Sequence, residues 1–258
     1  MPRPLLPERQ LDRRSALAAL AAVAATPATA AAQSGPAPAA APKGPLVWHG
    51  LDQQALDDAY DQSKYAANMR QVIQRYGSTS DYVRSRLGEP RRYSYGSTPV
   101  EHLDVYSPKA TKAPVHVFVH GGAWRAGDAR GNAFCAEPFV RAGAHFVVID
   151  FINVDKADGS LFPMVEQVRR AIAWVHRSAG TFGGDPDRIF LSGHSSGAHL
   201  AAAALTTSGS GGHHIPPGAV KGAVLVSGMY DLKPVRLSAR SRYIRFTDEM
   251  EQELSPER

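Results

Sequence analysis

The chain has 258 residues, of which 43% are hydrophobic and 21% are charged. A chain of this length and composition can bury one sizeable core, so we predict one globular domain rather than two. The net charge of +5 comes without any run of Lys or Arg interleaved with aromatic residues, so no nucleic-acid partner is indicated. Cys135 is the only cysteine, which excludes an intrachain disulfide and a cluster of thiolate metal ligands.

The first 32 residues are typical of a signal peptide. Arg13 and Arg14 precede the short apolar stretch 16–25, and small residues follow in TPATAAAQ, which is the order that a cleavable signal needs. The paired arginines resemble a bacterial twin-arginine signal, so we predict recognition by the twin-arginine export machinery and a periplasmic or secreted location. The apolar stretch is too short for a stable membrane anchor.

The folded domain is expected to follow a linker. Residues 33–46 are rich in Pro and Ala and cannot bury enough apolar surface to fold, so we predict a flexible linker before a domain over residues 47–258. Residues 51–87 have a helical, polar-rich pattern that Gly77 and Ser78 are expected to interrupt. Helices placed before the sheet either fold back over the functional site as a cap or pad the outside of the sheet, and the sequence leaves both alternatives open.

The rest of the domain alternates strands and helices. Residues 91–108 form two short alternating runs broken by Gly-Ser-Thr-Pro, which predicts an antiparallel hairpin at the start of the sheet. Helical segments such as residues 162–178 separate four runs that are apolar almost throughout, as in strands covered on both faces: PVHVFVH, HFVVIDF, RIFLSG and GAVLVSG. We therefore predict an α/β fold with a mostly parallel sheet flanked by helices and an antiparallel N-terminal hairpin.

One of these strands runs directly into a helix through a G-x-S-x-G pattern. RIFLSG leads into GHSSGAHLAAAAL, and the pattern comprises Gly193, Ser195 and Gly197. A sharp strand-to-helix turn holds the serine in a strained conformation and leaves no room for side chains at the two flanking positions. The turn exposes the hydroxyl, and the N-terminus of the new helix faces the developing negative charge. We predict Ser195 as a catalytic nucleophile.

A second motif, HGGAW at residues 120–124, directly follows the strand PVHVFVH. Acyl transfer forms a tetrahedral oxyanion, which needs two or more N–H groups aimed at one point, and glycines let the backbone approach the substrate closely. We predict that the backbone N–H groups of Gly121 and Gly122, together with that of Ser196, form the oxyanion hole.

The motifs HGGAW and GHSSGAHLA together resemble α/β-hydrolase fold serine hydrolases of the HGG-motif esterase/lipase branch, and within it the kynurenine formamidase (arylformamidase)-like group. FGGDPDRIFLSGHSSGAHLAA and VLVSGMYDL are similar to the same group, so the resemblance covers about Val47 to the end. It implies hydrolysis of a small-molecule carboxylic ester or aryl formamide, with no metal or organic cofactor. By the same likeness, His120 and Trp124 brace the loop and line the acyl side of the pocket.

The remaining members of a serine triad do not follow in the expected order. This fold supplies the nucleophile, the acid and the histidine in that order along the chain, whereas the last histidine, His214, precedes the strand GAVLVSG. Asp231, just after that strand, is a candidate acid, although GMYDL in the group it resembles is usually structural. GAVLVSG also has no later strand to pair with. We therefore expect a truncated enzyme whose sheet ends after about strand six and whose C-terminal part is missing.

Other histidines fit structural roles better than catalytic ones. His199 lies one helical turn beyond Ser195 and is expected to be helix core, and His194 is expected to be structural. His213 and His214 belong to a Gly/Ser-rich stretch, where a solvated loop is favoured over a metal site.

Three functions stay open: a serine esterase or formamidase, a catalytically inactive protein of this fold that only binds, and a peptidase. The sequence indicates no oligomeric state.

Overall fold

A computed structural model describes residues 44–207 and 214–258. The predicted signal peptide, most of the predicted linker and His213 lie outside these ranges. The first described strand begins at Leu46, one residue before the predicted start of the domain. No helix within the described ranges is both long enough and apolar enough to cross a membrane.

The described part of the chain contains strands and α-helices in alternation. The strands are β1 (Leu46–Trp48), β2 (Leu51–Asp52), β3 (Arg91–Ser94), β4 (His102–Tyr106), β5 (Ala113–Val119), β6 (His145–Ile149), β7 (Gly184–His194) and β8 (Val220–Val226). The α-helices are α1 (Gln53–Ala59), α2 (Met69–Leu87), α3 (Ala136–Arg141), α4 (Phe162–Ser178), α5 (Ser196–Thr206), α6 (Leu232–Leu237) and α7 (Asp248–Glu253).

Six of the strands form the central sheet, in the order β3-β4-β6-β5-β7-β8. β4 pairs antiparallel with β3 and with β6, whereas β6, β5, β7 and β8 run parallel to one another. The predicted N-terminal hairpin and the predicted mostly parallel sheet are both confirmed. β1 and β2 pair separately as a short antiparallel ribbon.

The centre of the sheet is buried because helices cover it. β6 is buried along its whole length, and every second residue of β5 is fully buried, from Val115 through Val117 to Val119. α4 packs against this face with an apolar stripe that includes Met164 and Ile172, and its bounds match the predicted helix over residues 162–178. Burying one such side chain contributes about 1.5–3 kcal/mol, so the core supplies the main favourable free energy of folding.

α2 runs without interruption, so the predicted break at Gly77 and Ser78 is wrong. An interior glycine costs a helix only about 1 kcal/mol relative to alanine, which packing elsewhere along the helix outweighs. Val83 is buried in a second apolar cluster. The Ser80 hydroxyl makes hydrogen bonds of 2.8 and 3.1 Å with the backbone of the 3₁₀ segment Arg130–Cys135, which hold the middle of α2 in place.

The two helices before the sheet, α1 and α2, pack against different parts of the chain. α2 pads the sheet, since Val83 packs in the same cluster as Phe146 of β6. α1 instead contacts the segment that follows β8: the Gln53 amide donates to the Leu237 carbonyl at 2.9 Å, and the N–H of Ala239 donates to Asp57 at 2.6 Å. Because β8 runs parallel to β7, that segment begins at the carboxyl edge of the sheet, where Ser195 also lies.

β8 is the outer strand of the described sheet and is largely exposed. Val224 is 63% exposed and Val226 is 48% exposed, and the neighbouring Phe190 on β7 is 40% exposed. An apolar run of this kind is typical of a strand covered on both faces, but the sequence offers β8 no later strand to pair with. Among the described residues β8 is the sixth strand of the sheet and lies exposed at its edge, which agrees with the expectation of a sheet that ends after about strand six. Most side chains of β8 are therefore not covered by any other described residue.

Candidate active site

Ser195 lies at the sharp turn between β7 and α5. Its backbone angles are φ 54° and ψ −124°, a combination that residues with a side chain rarely adopt. Its N–H donates to the carbonyl of Val226, the last residue of β8, at 2.8 Å. Sparsely populated backbone conformations cost about 1–3 kcal/mol and persist only where the surrounding structure holds them. The turn therefore has the strained backbone that the G-x-S-x-G pattern predicts.

Gly193 and Gly197 occur where backbone segments meet. A Cβ on Gly197 would lie 2.2 Å from the Val119 carbonyl oxygen and 2.3 Å from that of His120. A Cβ on Gly193 would lie 2.7 Å from the carbonyl oxygen of Gly197. These distances are far inside van der Waals contact, so any side chain here would push α5 away from the end of β5. Glycine at both flanking positions is a steric requirement of the turn.

The HGGAW loop lies directly against this turn. A Cβ on Gly121 would come within 2.8 Å of the His194 carbonyl oxygen and 3.2 Å of the Ser195 Cβ. Gly122 has φ 127°, a conformation open mainly to glycine. Ser196 is the first residue of α5, so its N–H has no acceptor within the helix. Gly121 and Ser196 thus lie on two sides of Ser195, and their role in an oxyanion hole stays a prediction.

Trp124 and His199 connect the loop to α5. The Trp124 indole N–H donates to Nδ1 of His199 at 3.2 Å, and Nε2–H of His199 donates to the Leu254 carbonyl at 2.8 Å. Burial lowers the pKa of His199 to about 4, so the ring is neutral. His199 is helix core, as predicted, and both of its nitrogens are used. Trp124 is 1% exposed and is tied to α5 by this hydrogen bond, and its place on the acyl side of the site stays a prediction.

His120 braces the other end of the loop. Its ring stacks on Phe151 with centroids 4.4 Å apart, and Nδ1–H donates to the Gly121 carbonyl at 2.8 Å. Burial lowers the pKa of His120, while the Gly121 carbonyl and the charge of Asp150 oppose that effect. The imidazole is therefore neutral, and its packing fixes the carbonyl that precedes Gly122.

Asp231, the candidate triad acid, already has two partners. One of its carboxylate oxygens caps α6 by accepting the Lys233 N–H at 2.9 Å and also accepts from Arg258 at 2.9 Å. This geometry favours a structural role. His194 and His214 are exposed. Within residues 44–207 and 214–258, no group of three or more His, Cys, Asp or Glu side chains is placed to hold a metal ion.

The residues just after β6 contribute to the site and were missed from the sequence. Asp150 accepts from the Ala129 N–H at 2.6 Å and pairs with Arg92 at 2.6 Å, so it anchors the chain that follows the HGGAW loop. Phe151 supplies the ring on which His120 stacks. The sequence HFVVIDF contained a signal for them, because an acidic and an aromatic residue directly follow a buried strand.

Comparison with known proteins agrees with this geometry. The BD-FAE family profile matches residues 103–237, more than half of the chain. The chain belongs to the BD-FAE family. A kynurenine formamidase of Danio rerio is 32% identical over 219 residues, which are 82% of this chain and 72% of that protein. A probable isoprenylcysteine α-carbonyl methylesterase of Oryza sativa is 38% identical over 117 residues, 45% of this chain and 28% of that protein.

A solved structure shows the same fold. The chain is similar to a candidate thioesterase from Silicibacter sp., with a TM-score of 0.67 at 23% identity over 78% of this chain and 74% of that one. The predicted α/β-hydrolase fold and the predicted resemblance to esterases and formamidases are both confirmed. This BD-FAE family member is an esterase/formamidase-like α/β-hydrolase.

Proposed function

We propose that the protein is a serine hydrolase that cleaves a carboxylic ester or an aryl formamide through an acyl-enzyme on Ser195. The observation that carries the proposal is the backbone of Ser195, at φ 54° and ψ −124°, with the glycine loop packed against it. The formamidase and methylesterase names of two relatives support the choice of an acyl group bound to nitrogen or oxygen.

The proposed reaction has two steps. The Ser195 oxygen attacks the carbonyl carbon, its proton passes to the departing alcohol or arylamine, and an acyl-enzyme remains. Water then attacks the acyl-enzyme and releases the acid and the free serine. In both steps the N–H groups of Gly121, Gly122 and Ser196 stabilise the oxyanion, and losing one such donor costs about 10²–10³ in rate.

A second candidate function is binding without catalysis. The environment of His199, the histidine nearest to Ser195 along α5, favours this function. Both nitrogens of His199 are engaged in hydrogen bonds and its ring is buried, so it is not available as a base. In that case Ser195 keeps the strained turn but has no base that takes its proton. The two functions differ in the reactivity of the hydroxyl.

A fluorophosphonate probe tests the proposal. We expect the purified chain to be labelled at Ser195 and Ser195→Ala to be unlabelled. Ser192→Ala is the matched control, because Ser192 lies on the same strand and its hydroxyl bonds to His116 at 2.7 Å. It should label like the wild type. An unlabelled wild-type chain, shown by circular dichroism to be folded, would contradict the proposal and favour binding alone.

Turnover assays identify the substrate class. We expect release of p-nitrophenol from p-nitrophenyl acetate, or of aniline from formanilide, to exceed hydrolysis of peptide p-nitroanilides. Even without an assigned base, an oxyanion hole and substrate binding can leave about 10³–10⁴ over the reaction in water. Faster cleavage of the peptides would instead identify a peptidase.

We further propose that the protein is exported through the twin-arginine route, on the strength of Arg13, Arg14 and the apolar stretch after them. Fusing residues 1–32 to a folded fluorescent reporter in a bacterial host should place the reporter in the periplasm. The double substitution Arg13→Lys and Arg14→Lys should keep it in the cytoplasm, and unchanged export would contradict the proposal.

A further inference from the structure

Arg240 is a buried cation without a carboxylate partner among the described residues. It lies in the 3₁₀ segment Ala239–Arg242 after α6 and is 9% exposed. One terminal nitrogen donates to the Tyr243 hydroxyl at 2.7 Å and the other to the Tyr60 carbonyl at 3.3 Å. Its Nε is buried and has no hydrogen-bond partner in the described part of the chain.

Three acids of the same region, Asp231, Asp248 and Glu251, form ion pairs with other arginines. Arg236 pairs with Asp248 and Glu251, and Arg258 pairs with Asp231 and with Glu251. These pairs are more exposed than Arg240. Arg240 is therefore the buried arginine of this region, and it forms no ion pair with any described carboxylate.

Arg240 lies beside the predicted oxyanion loop. Its guanidinium carbon is 5.8 Å from the centre of the Trp124 ring and 5.7 Å from that of Tyr60. Trp124 belongs to the HGGAW loop and hydrogen-bonds to His199 on α5, the helix that begins just after Ser195. The segment that carries Arg240 follows β8 at the carboxyl edge of the sheet, where Ser195 also lies. Trp124 therefore connects the Arg240 guanidinium to the loop that packs against Ser195.

An unpaired charge at such a position has a physical cost. Removing a guanidinium from water is unfavourable unless its donors are satisfied, and two aromatic rings compensate only in part. A guanidinium has five N–H donors, and two hydrogen bonds leave three of them, including Nε–H, without a described acceptor. The planar fork of donors matches the two oxygens of a carboxylate.

We propose that Arg240 binds the carboxylate of an anionic substrate, so that the site prefers esters or formamides that carry a second, ionised group. The proposal names a substrate class for the same site and therefore rests on the proposed function for the reaction at Ser195. In the complex, the substrate carboxylate accepts the unused N–H donors of Arg240, and the acyl group extends along the HGGAW loop towards Ser195.

Matched neutral and anionic ligands test the proposal without any turnover. Benzoate and benzamide have nearly the same shape and differ in charge, and their dissociation constants are measured by calorimetry on the full chain. We expect benzoate to bind at least about tenfold more tightly, as a charge-assisted pair predicts. Arg240→Gln should remove that preference, whereas Arg242→Gln, which changes an exposed arginine of the same segment, should keep it.

Equal binding of the two ligands to the wild type, or an unchanged preference in Arg240→Gln, would overturn the proposal. If Arg240→Gln unfolds, Arg240→Lys is the alternative variant, because it keeps the positive charge but loses the planar arrangement of N–H donors. In Arg240→Lys the preference for benzoate over benzamide should fall about threefold or more. Fluorophosphonate labelling of Ser195 separates this result from the proposed function. If benzoate is preferred but Ser195 is not labelled, the proposed hydrolase function is contradicted and the anion site stands. If Ser195 is labelled but benzoate is not preferred, only the anion site is contradicted.

Discussion

Gly121 is the residue at which the HGGAW loop touches the turn at Ser195, so a side chain at this position would disturb the proposed site. We expect Gly121→Ala to lower the rate of fluorophosphonate labelling by about 10²–10³, because its Cβ would lie 2.8 Å from the His194 carbonyl and displace the predicted donor. The rate of labelling measures the effect. Gly180→Ala, at a position with nothing within 4 Å, is the control. An unchanged rate in Gly121→Ala would show that Gly121 donates nothing.

His116 and His199 make stability depend on pH. Burial lowers the pKa of each to about 4, against 6.5 when unfolded, so the folded state prefers the neutral rings. Their contribution is present above pH 6.5 and is lost as the pH falls towards 4, because the unfolded chain takes up protons first. The free energy of unfolding should fall by up to about 1.4 kcal/mol per pH unit for each ring.

Urea unfolding at pH 7, 5.5 and 4.5 checks this dependence. His116→Gln should reduce the slope of stability against pH, since one of the buried titrating rings is gone while Gln keeps a hydrogen-bonding group beside Ser192. Phe139 and Phe146 stack on the His116 ring. Because neither carries a charge, they do not themselves change the dependence of stability on pH. A slope equal to that of the wild type would contradict the assignment of His116.

At the scale of elements, the sequence predicts best where a pattern is local. α4 has an apolar stripe of helical period and was predicted with its bounds, and the turn at Ser195 follows from three residues and their neighbours. The continuity of α2 was missed because a glycine weighs little against packing that involves Ser80 and Val83. Arg240 was missed because its neighbours, Tyr60 and Trp124, are distant in sequence and no periodicity connects them.

The uninterrupted α2 leads to a prediction about Gly77. Its φ is not positive and a Cβ there would meet nothing within 4 Å, so alanine fits without strain. We expect Gly77→Ala to raise the free energy of unfolding by about 0.5–1 kcal/mol, through better helix propensity and a less flexible unfolded chain. Urea unfolding measures it. Gly197→Ala should do the opposite because of its contacts with backbone at 2.2 Å, and a lower midpoint for Gly77→Ala would refute the account.

For the molecule as a whole, we expect the exposed outer strand to limit solubility. β8 has Val224 and Val226 exposed beside Phe190, and a long apolar strand at a sheet edge is a template for pairing with other chains. We expect Val224→Lys to reduce concentration-dependent association, measured by light scattering, without lowering the midpoint of thermal unfolding. Tyr82→Lys, on the exposed side of α2, is the control and should leave association unchanged. Equal scattering for Val224→Lys and wild type would exclude the strand as the cause.

The hydrogen bond from the Ser195 N–H to the Val226 carbonyl has a further consequence for local opening. The last carbonyl of β8 is one of the constraints that keep the serine backbone at positive φ, so detachment of this strand releases the turn as well. Native-state hydrogen exchange should therefore show the Ser195 amide exchanging together with the amides of β8, as one cooperative unit that opens below the global free energy of unfolding. The strained backbone of Ser195 and the attachment of the outer strand are then parts of a single equilibrium.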